Sequence, residues 1–195
     1  IRSPQHPKLG RQILAEYEAV DFLRVMSGPA RATFLERGFD PKRVFAAAPP
    51  VELPDLPSTP YEPDPFIVCS VGLLDPAKGF HHLIEAFRAL DHRNSELWLW
   101  GNTGNRAVAR YLAEQMSACP RIKLKPVSVR EAGHAKVYGV SSVLVHASLA
   151  DGFGYVVSEA MASGIPVITT STTGASEWVE DGVSGFVVRP GDTDA

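Results

Sequence analysis

The amino-acid sequence predicts an α/β protein in which a mostly parallel sheet of about six strands carries helices on both faces. After residue 65, short apolar segments alternate regularly with segments of helical spacing. Apolar runs of this kind are typical of parallel strands that are covered on both faces. The predicted strands are 66–71, 96–100, 121–124, 142–147, 165–170 and 185–188. Helical crossovers between strands of one sheet define a Rossmann-like domain.

The segments between these strands have helical character. In residues 78–90 the apolar side chains Leu83, Ala86, Phe87 and Leu90 recur at helical spacing. Further helices are predicted at 105–116, 130–139, 155–163 and 175–181. The segment 130–139 is the weakest of these predictions because Gly133 interrupts it.

A shorter unit precedes this domain. Its pattern predicts a helix, a strand, a second helix and a second strand at 11–20, 21–27, 28–38 and 43–48. Seven prolines then crowd into residues 49–65, and proline both removes backbone donors and stops helices. We therefore expect three parts: a short α-β-α-β unit at 1–48, an extended connector at 49–65, and the main domain at 66–195.

The bulk properties indicate a globular protein. Of its 195 residues 45% are hydrophobic and 21% are charged, which is ordinary for a soluble chain. The net charge of −3 argues against a nucleic-acid partner. Cys69 and Cys119 lack the spacing of a metal site, so we expect reduced thiols and a cytoplasmic location. Because the chain starts at Ile1 rather than Met, we expect a fragment or a processed form.

The most informative stretch is DGFGYVVSEAMASGIPVITT, residues 151–170. Asp151 opens it, a Gly-Phe-Gly loop follows, and Glu159 comes eight positions after Asp151. A glycine loop that enters a helix presents unpaired N–H groups and the positive end of the helix dipole, which suit a phosphate. Carboxylates suit the hydroxyls of a sugar or ribose instead. The combination predicts a nucleotide-sugar ligand.

This stretch resembles the retaining glycosyltransferases of family 4, which have the GT-B fold. There the motif reads Glu-Gly-Phe-Gly, four residues, Glu-Ala-Met, and then small-Gly-x-Pro-Val. Asp151 stands at the first Glu, and the sequence from Gly152 to Val167 fits closely. The resemblance extends over roughly residues 12–192. It implies that 66–195 is the carboxy-terminal donor-binding domain and 1–48 the tail of an amino-terminal acceptor domain, with the chain truncated at both ends.

The resemblance also implies an activity. Such an enzyme transfers a sugar from a nucleotide-diphosphate donor to an acceptor hydroxyl with retention of configuration, in polysaccharide or glycoconjugate biosynthesis. It implies no cofactor and no bound metal. A sugar or lipid-linked acceptor would sit against the missing amino-terminal domain, so we expect the isolated chain to transfer poorly or not at all. Whether the whole enzyme docks on a membrane, and its oligomeric state, stay open.

The same resemblance assigns roles to individual residues. Lys78 would place its charge on the donor diphosphate and Asp151 would face the donor sugar, and these two are the candidate catalytic residues. Glu159 would bind the ribose hydroxyls. The backbone N–H groups that would meet sugar or phosphate oxygens are those of Phe153, Gly154 and Tyr155.

Further donor-binding candidates are the glycines that follow predicted strands or lie in the motif: Gly72, Gly101 and Gly152. His146 ends a predicted strand on the ligand side and is a candidate for lining the site. Glu177 matches a Glu of the family in a Gly-x-x-Glu segment, where we expect it to fix a loop.

Two departures from the family pattern leave other interpretations open. Leu73 stands where the family has an Arg that faces the diphosphate, and Asp151 is one methylene shorter than Glu. A degenerate, non-catalytic GT-B module is therefore one alternative. Nucleotide-sugar epimerases and some phosphorylases share the architecture and are another, although the motif favours a transferase.

Overall fold

The computed structural model describes residues 7–51 and 64–194. The chain divides into two compact units between Pro49 and Pro50. Most of the predicted proline connector, residues 52–63, lies outside the described residues, so its extended conformation stays a prediction.

The smaller unit has the predicted α-β-α-β order. Helix α1 (Pro7–Ala19) leads to strand β1 (Leu23–Val25), and helix α2 (Gly28–Leu35) leads to strand β2 (Val44–Ala46). The two strands pair in parallel. Helix α2 begins where Ser27 directs its hydroxyl oxygen to the backbone N–H of Ala30, at 3.2 Å, which satisfies one of the otherwise unpaired donors of its first turn.

The larger unit is a parallel α/β domain with the six predicted strands. Its elements are β3 (Phe66–Val71), α3 (Phe80–Ala89), β4 (Ser95–Trp100), α4 (Arg106–Ala118), β5 (Ile122–Lys125), α5 (Val129–Ala132), α6 (His134–Val137), β6 (Val143–His146), α7 (Tyr155–Ala162), β7 (Val167–Thr170) and β8 (Gly185–Val188). Two short 3₁₀ turns, Pro76–Lys78 and Gly174–Trp178, lie in the loops before α3 and after β7.

The strand order across the sheet is β5-β4-β3-β6-β7-β8, and every pairing is parallel. The chain runs outward from β3 through β4 to β5, then returns to place β6 on the other side of β3. This is the doubly wound order of dinucleotide-binding domains, in which ligands bind beyond the carboxyl ends of the strands where the direction reverses. The topology therefore directs attention to the loops that follow β3 and β6.

The core consists of two layers, one on each face of the sheet. In β3, Val68 points to one layer while Cys69 and Val71 point to the other, as the two-residue period of a strand requires. The first layer contains Leu83, Ile84 and Phe87 of α3, Leu97 and Leu99 of β4, and Val108 and Leu112 of α4. The second contains Val137 and Tyr138, Leu144 of β6, and Val157 and Ala160 of α7. Both faces are thus apolar, which confirms the sequence-based fold class.

Two helix predictions need correction in detail. Gly133 adopts φ 88° and divides the predicted helix 130–139 into α5 and α6, each of four residues. The predicted helix 175–181 is only the 3₁₀ turn Gly174–Trp178, because Val179 is extended. Asp181 accepts a hydrogen bond from the backbone N–H of Val187 in β8, at 3.2 Å, so this part of the chain supports the sheet edge.

Within the part of the chain that the structure describes, no helix combines the length and the apolar character needed to cross a membrane.

Candidate functional site

The loop after β3 rests on the carboxyl end of β6. Asp75 accepts a hydrogen bond from the N–H of Ala77, at 2.9 Å, and so starts the 3₁₀ turn that ends at Lys78. Gly79 follows with φ 65°, and a Cβ atom there would lie 1.9 Å from the carbonyl oxygen of Ala147. Only glycine allows this close approach. It brings Lys78 to the loop that follows β6.

Lys78 forms an ion pair with Asp151 at this junction. The Lys78 Nζ lies 2.5 Å from Asp151 Oδ2, and His146 Nε2 lies 3.1 Å from the same oxygen. The Asp151 side chain is 17% exposed and that of His146 4%, whereas Lys78 keeps 34%. Lys78 comes from the loop after β3, whereas His146 and Asp151, five positions apart, come from the end of β6 and the loop after it. The three side chains meet where the strand order reverses.

Both carboxylate oxygens of Asp151 are engaged by the protein. Oδ2 accepts from Lys78, and Oδ1 accepts from the backbone N–H of Phe153 at 3.3 Å. Burial alone would raise the pKa of Asp151. The hydrogen bonds and charges of His146 and Lys78 outweigh burial and hold that pKa well below its usual range. Asp151 is therefore a carboxylate at neutral pH.

Helix α7 begins beside this ion pair without a side-chain cap. Gly154 is its first flanking residue, with φ 83°, and a Cβ atom there would lie 2.4 Å from Cγ2 of the buried Thr173. The first turn of α7 contains no acidic side chain. The positive end of the helix dipole therefore has no carboxylate from its own first turn, and the neighbouring carboxylate of Asp151 is paired with Lys78. Such a helix start can take part in an anion site.

Glu159 lies in the second turn of α7, so it does not serve as a charge at the helix start. Its Oε2 accepts a hydrogen bond from the hydroxyl of Tyr138 at 2.6 Å. Its Oε1 lies 3.9 Å from Nε2 of His134. The carboxylate is therefore held by Tyr138, the residue after α6, and lies near His134, the first residue of α6.

The aromatic residue of the Gly-Phe-Gly loop belongs to the core. Phe153 is 2% exposed, and its ring packs edge-on against Tyr155 and Trp178 at centroid distances of 5.2 Å. Tyr155 and Trp178 are themselves partly exposed, at 46% and 38%. Glu177 lies on the neighbouring 3₁₀ turn with an exposed side chain.

Gly72 and Gly101 contact each other across the ends of β3 and β4. Gly101 has φ 143°, and a Cβ atom there would lie 1.8 Å from the carbonyl oxygen of Gly72. The N–H of Gly72 donates to Trp100, and the N–H of Gly101 donates to Lys125, each at 3.0 Å. Close backbone packing therefore explains Gly101, whereas a Cβ atom at Gly72 would meet nothing within 4 Å and only its φ of 144° favours glycine. Leu73, at the expected Arg position, is 60% exposed.

The structure thus brings Lys78, Asp151 and His146 together, with Gly154 beside them. Gly72, Gly101, Gly152, Phe153, Tyr155, Glu159 and Glu177 occupy the ends of β3 and β4, the motif loop, α7 and the turn after β7. Sequence reasoning missed three residues: Gly79, Tyr138 and His134. Gly79 directly follows the candidate Lys78, and that position is the signal that could have found it. No pattern in the sequence singles out Tyr138 or His134.

A cavity of about 730 Å³ lies elsewhere, against the sheet face that carries α3. Its walls include Leu83, Phe87, Val145 and Ile168. Of the predicted site residues, His146 alone contributes to its lining. The lining is mainly apolar, although His82, Arg189 and Asp192 also contribute to it, and neither Lys78 nor Asp151 does. Because ligands of this topology bind beyond the carboxyl ends of the strands, we take the strand ends as the candidate site.

Comparison with known proteins identifies the family of this chain. The family model described as glycosyl transferases group 1 matches residues 55–195, and the chain belongs to that family. The capsular polysaccharide biosynthesis glycosyltransferase CapM of Staphylococcus aureus is 32% identical over 136 residues, which are 66% of this chain and 34% of CapM. The D-inositol 3-phosphate glycosyltransferase of Corynebacterium glutamicum is 34% identical over 131 residues, 63% of this chain and 31% of that protein.

Solved structures agree on the fold. A crystal structure of HepE from Anabaena, in complex with UDP and glucose, superposes with a TM-score of 0.80 at 23% identity and covers 98% of this chain and 56% of HepE. The sucrose-phosphate synthase of Thermosynechococcus elongatus gives a TM-score of 0.76 at 24% identity, covering 100% of this chain and 52% of the synthase. The larger unit therefore has the fold of the carboxy-terminal domain of GT-B glycosyltransferases. The chain spans about a third of the length of the curated relatives that it matches.

Proposed function

We propose that this chain carries the donor-binding part of a retaining glycosyltransferase that uses a nucleotide-diphosphate sugar. The observation that supports this most is the meeting of Lys78 and Asp151, 2.5 Å apart, beside the uncapped start of α7. A cation and a helix amino-terminus at one point suit a diphosphate. The HepE structure contains UDP and glucose, which is consistent with a uridine donor here.

In the proposed reaction the main task is to stabilise the departing diphosphate. As the bond between sugar and phosphate breaks, negative charge develops on the leaving oxygen while the sugar becomes oxocarbenium-like. Lys78 and the N–H groups at the start of α7 would face that charge without reorganising. An ammonium has three N–H donors, and Asp151 uses one of them. Asp151 would hold Lys78 in place and lie next to the donor sugar.

The remaining site residues would hold the rest of the donor. Glu159 would accept hydrogen bonds from the ribose hydroxyls, since its carboxylate is partly exposed. Backbone groups of Gly152 and Tyr155 would contact the phosphates and the sugar. The N–H groups of Gly72 and Gly101 already donate to backbone carbonyls, so these two glycines would contribute only room for the donor to approach. His146 would line the floor beneath Asp151, and Glu177 would steady the turn after β7. No metal would take part in the transfer.

The smaller unit would belong to the acceptor-binding domain of a longer enzyme. Its exposed aromatic side chains support this, because Phe22 and Phe45 are 67% and 50% exposed and pack on each other at 5.6 Å. An isolated two-stranded sheet is only marginally stable. The acceptor would be a sugar or a lipid-linked sugar in a cytoplasmic enzyme, and membrane docking would depend on that other domain.

Thermal unfolding with UDP, GDP, ADP, CDP and TDP tests the donor site. At about 100 times its dissociation constant, the matching nucleotide should add roughly 2.7 kcal/mol to the free energy of unfolding. That corresponds to several degrees, at about 2–4 °C per kcal/mol. The shift should vanish in Glu159→Ala. If no nucleotide stabilises the chain, the proposed donor site is wrong.

Transfer itself should be weak in the isolated chain, since the acceptor side of the cleft would come from the other domain. With the nucleotide sugar selected by the binding experiment, product formation should stay near background with or without a divalent metal. A longer chain that includes the acceptor domain should transfer in the presence of EDTA. Robust turnover by the 195-residue chain would contradict this expectation.

A further inference from the structure

Glu159 is the candidate ribose ligand, and its orientation depends on a residue from another helix. The hydroxyl of Tyr138 donates to Glu159 Oε2 at 2.6 Å. The two residues are 21 positions apart in the chain. Tyr138 is 0% exposed, so solvent does not compete for this hydrogen bond on the tyrosine side.

The position of the Tyr138 hydroxyl is determined by the core. Its ring belongs to the core layer that also contains Cys69, Leu144 and Val157. Its backbone N–H donates to the carbonyl of His134 at 2.7 Å and closes helix α6. A ring packed this way has one rotamer available, because protein interiors are close-packed. The hydroxyl is therefore a fixed donor.

The surroundings of the Tyr138 hydroxyl also keep it protonated. Burial, and then the charge of Glu159 and its hydrogen bond, raise the pKa of Tyr138 far above its usual range. The phenol thus keeps its proton at neutral pH. Glu159 Oε1 lies 3.9 Å from His134 Nε2, which is beyond hydrogen-bond distance. Thus Glu159 Oε2 is hydrogen-bonded to Tyr138, whereas Oε1 lies near the His134 side chain, which is 26% exposed.

We propose that Tyr138 is a positioning residue that orients the Glu159 carboxylate toward the vicinal diol of the donor ribose. This proposal rests on the nucleotide-binding function proposed above. A carboxylate free to rotate would lose entropy when it binds a diol, whereas one tied at Oε2 is already oriented. Tyr138 would not touch the nucleotide, so its effect should pass entirely through Glu159.

A positioning role of the Tyr138 hydroxyl can be distinguished from a general effect of that hydroxyl on the stability of the fold. If Tyr138 acts through Glu159, its hydroxyl should matter for a nucleotide with a ribose diol and not for one without it. If the hydroxyl only supports the fold, both nucleotides should be affected alike. The ratio of the two dissociation constants is therefore the decisive quantity.

The experiment measures binding of UDP and of 2′,3′-dideoxyuridine diphosphate by calorimetry to the 195-residue chain, or the matching pair for whichever base binds. Tyr138→Phe removes one hydroxyl and keeps the ring. We expect the Kd of UDP to rise roughly tenfold, as for the loss of a hydrogen bond to a charged group, while the Kd of the dideoxy analogue stays within about twofold. Tyr111→Phe, which removes a hydroxyl from α4, is the matched control and should change neither value.

The outcomes separate the two proposals. If the wild type binds UDP and Tyr138→Phe leaves both dissociation constants unchanged, Tyr138 has no positioning role, although the donor site stands. If Tyr138→Phe weakens both nucleotides equally, the role is structural and the inference is also wrong. If the wild type binds no nucleotide of the panel, the donor site itself fails, and the inference with it.

Discussion

At the scale of single residues, Asp151 is the side chain around which the candidate site is organised. The family resemblance puts Asp151 at the position where family members have the longer Glu, and it implies a role at the donor sugar. In the structure it holds Lys78 and accepts from the backbone of its own loop, with His146 beneath it. An aspartate at this position is therefore compatible with an ordered site, because its carboxylate accepts hydrogen bonds from Lys78 and from the N–H of Phe153.

This arrangement predicts how stability depends on pH. The pKa of Asp151 in the folded state is lower than its unfolded value of about 3.9. Its contribution to stability is therefore present above about pH 4 and is lost as the pH falls below that value. Asp151→Asn should be less stable than the wild type by roughly 1–2 kcal/mol at pH 7, a value that allows for the partial exposure of Lys78.

Urea unfolding at pH 7, 5 and 3 measures this effect. The difference between Asp151→Asn and the wild type should be nearly constant from pH 7 to pH 5 and should shrink toward pH 3. Asp91→Asn, at an exposed position after α3, is the control and should match the wild type throughout. A difference that grows as the pH falls would show that the ion pair is not the cause.

At the scale of elements, the strand ends depend on glycines in close backbone contact. Gly101→Ala would place a Cβ atom 1.8 Å from the carbonyl oxygen of Gly72 at a φ of 143°. We expect a loss of roughly 2–4 kcal/mol from backbone strain and overpacking. At about 2–4 °C per kcal/mol, the thermal midpoint should fall by roughly 5–15 °C.

Gly104, in the same loop, is the matched control. A Cβ atom there meets nothing within 4 Å, and its φ lies outside the left-handed region. Gly104→Ala should leave the midpoint unchanged or raise it slightly, because alanine restricts the unfolded chain. Circular dichroism during heating compares the two variants. Equal midpoints would mean that the loop relaxes around the new methyl group of Gly101→Ala.

Sequence patterns explain the elements unevenly. The six strands were predictable because each is an apolar run of β-favouring residues between helical segments. The helix predicted at 175–181 was wrong, since the extended Val179 and the bond from Asp181 to β8 end the turn early. The sequence marked the helix 130–139 only as a weak prediction because of Gly133, and did not predict its division into α5 and α6. After this division, His134 and Tyr138 lie at the side of α7.

At the scale of the whole molecule, the larger unit contains both core layers. All buried members of the two layers lie between Val68 and Ala175. We therefore expect a chain of residues 50–195 to fold without the smaller unit and to keep the nucleotide-dependent shift of the 195-residue chain. Circular dichroism and thermal unfolding test this. An unfolded or aggregated product, or the loss of the shift, would mean that the smaller unit contributes to the fold or to the site.

By itself, the sequence determined the fold class, the family resemblance and the segment that carries the candidate donor-binding residues. These follow from local patterns, namely apolar periodicity, glycine positions and the spacing of Asp151 and Glu159. Only the tertiary structure decided which groups meet: Lys78 with Asp151, 73 positions apart, and Tyr138 with Glu159. The physical reason is that a parallel sheet joins strands distant in sequence at a common edge, and no local pattern specifies the distances across it.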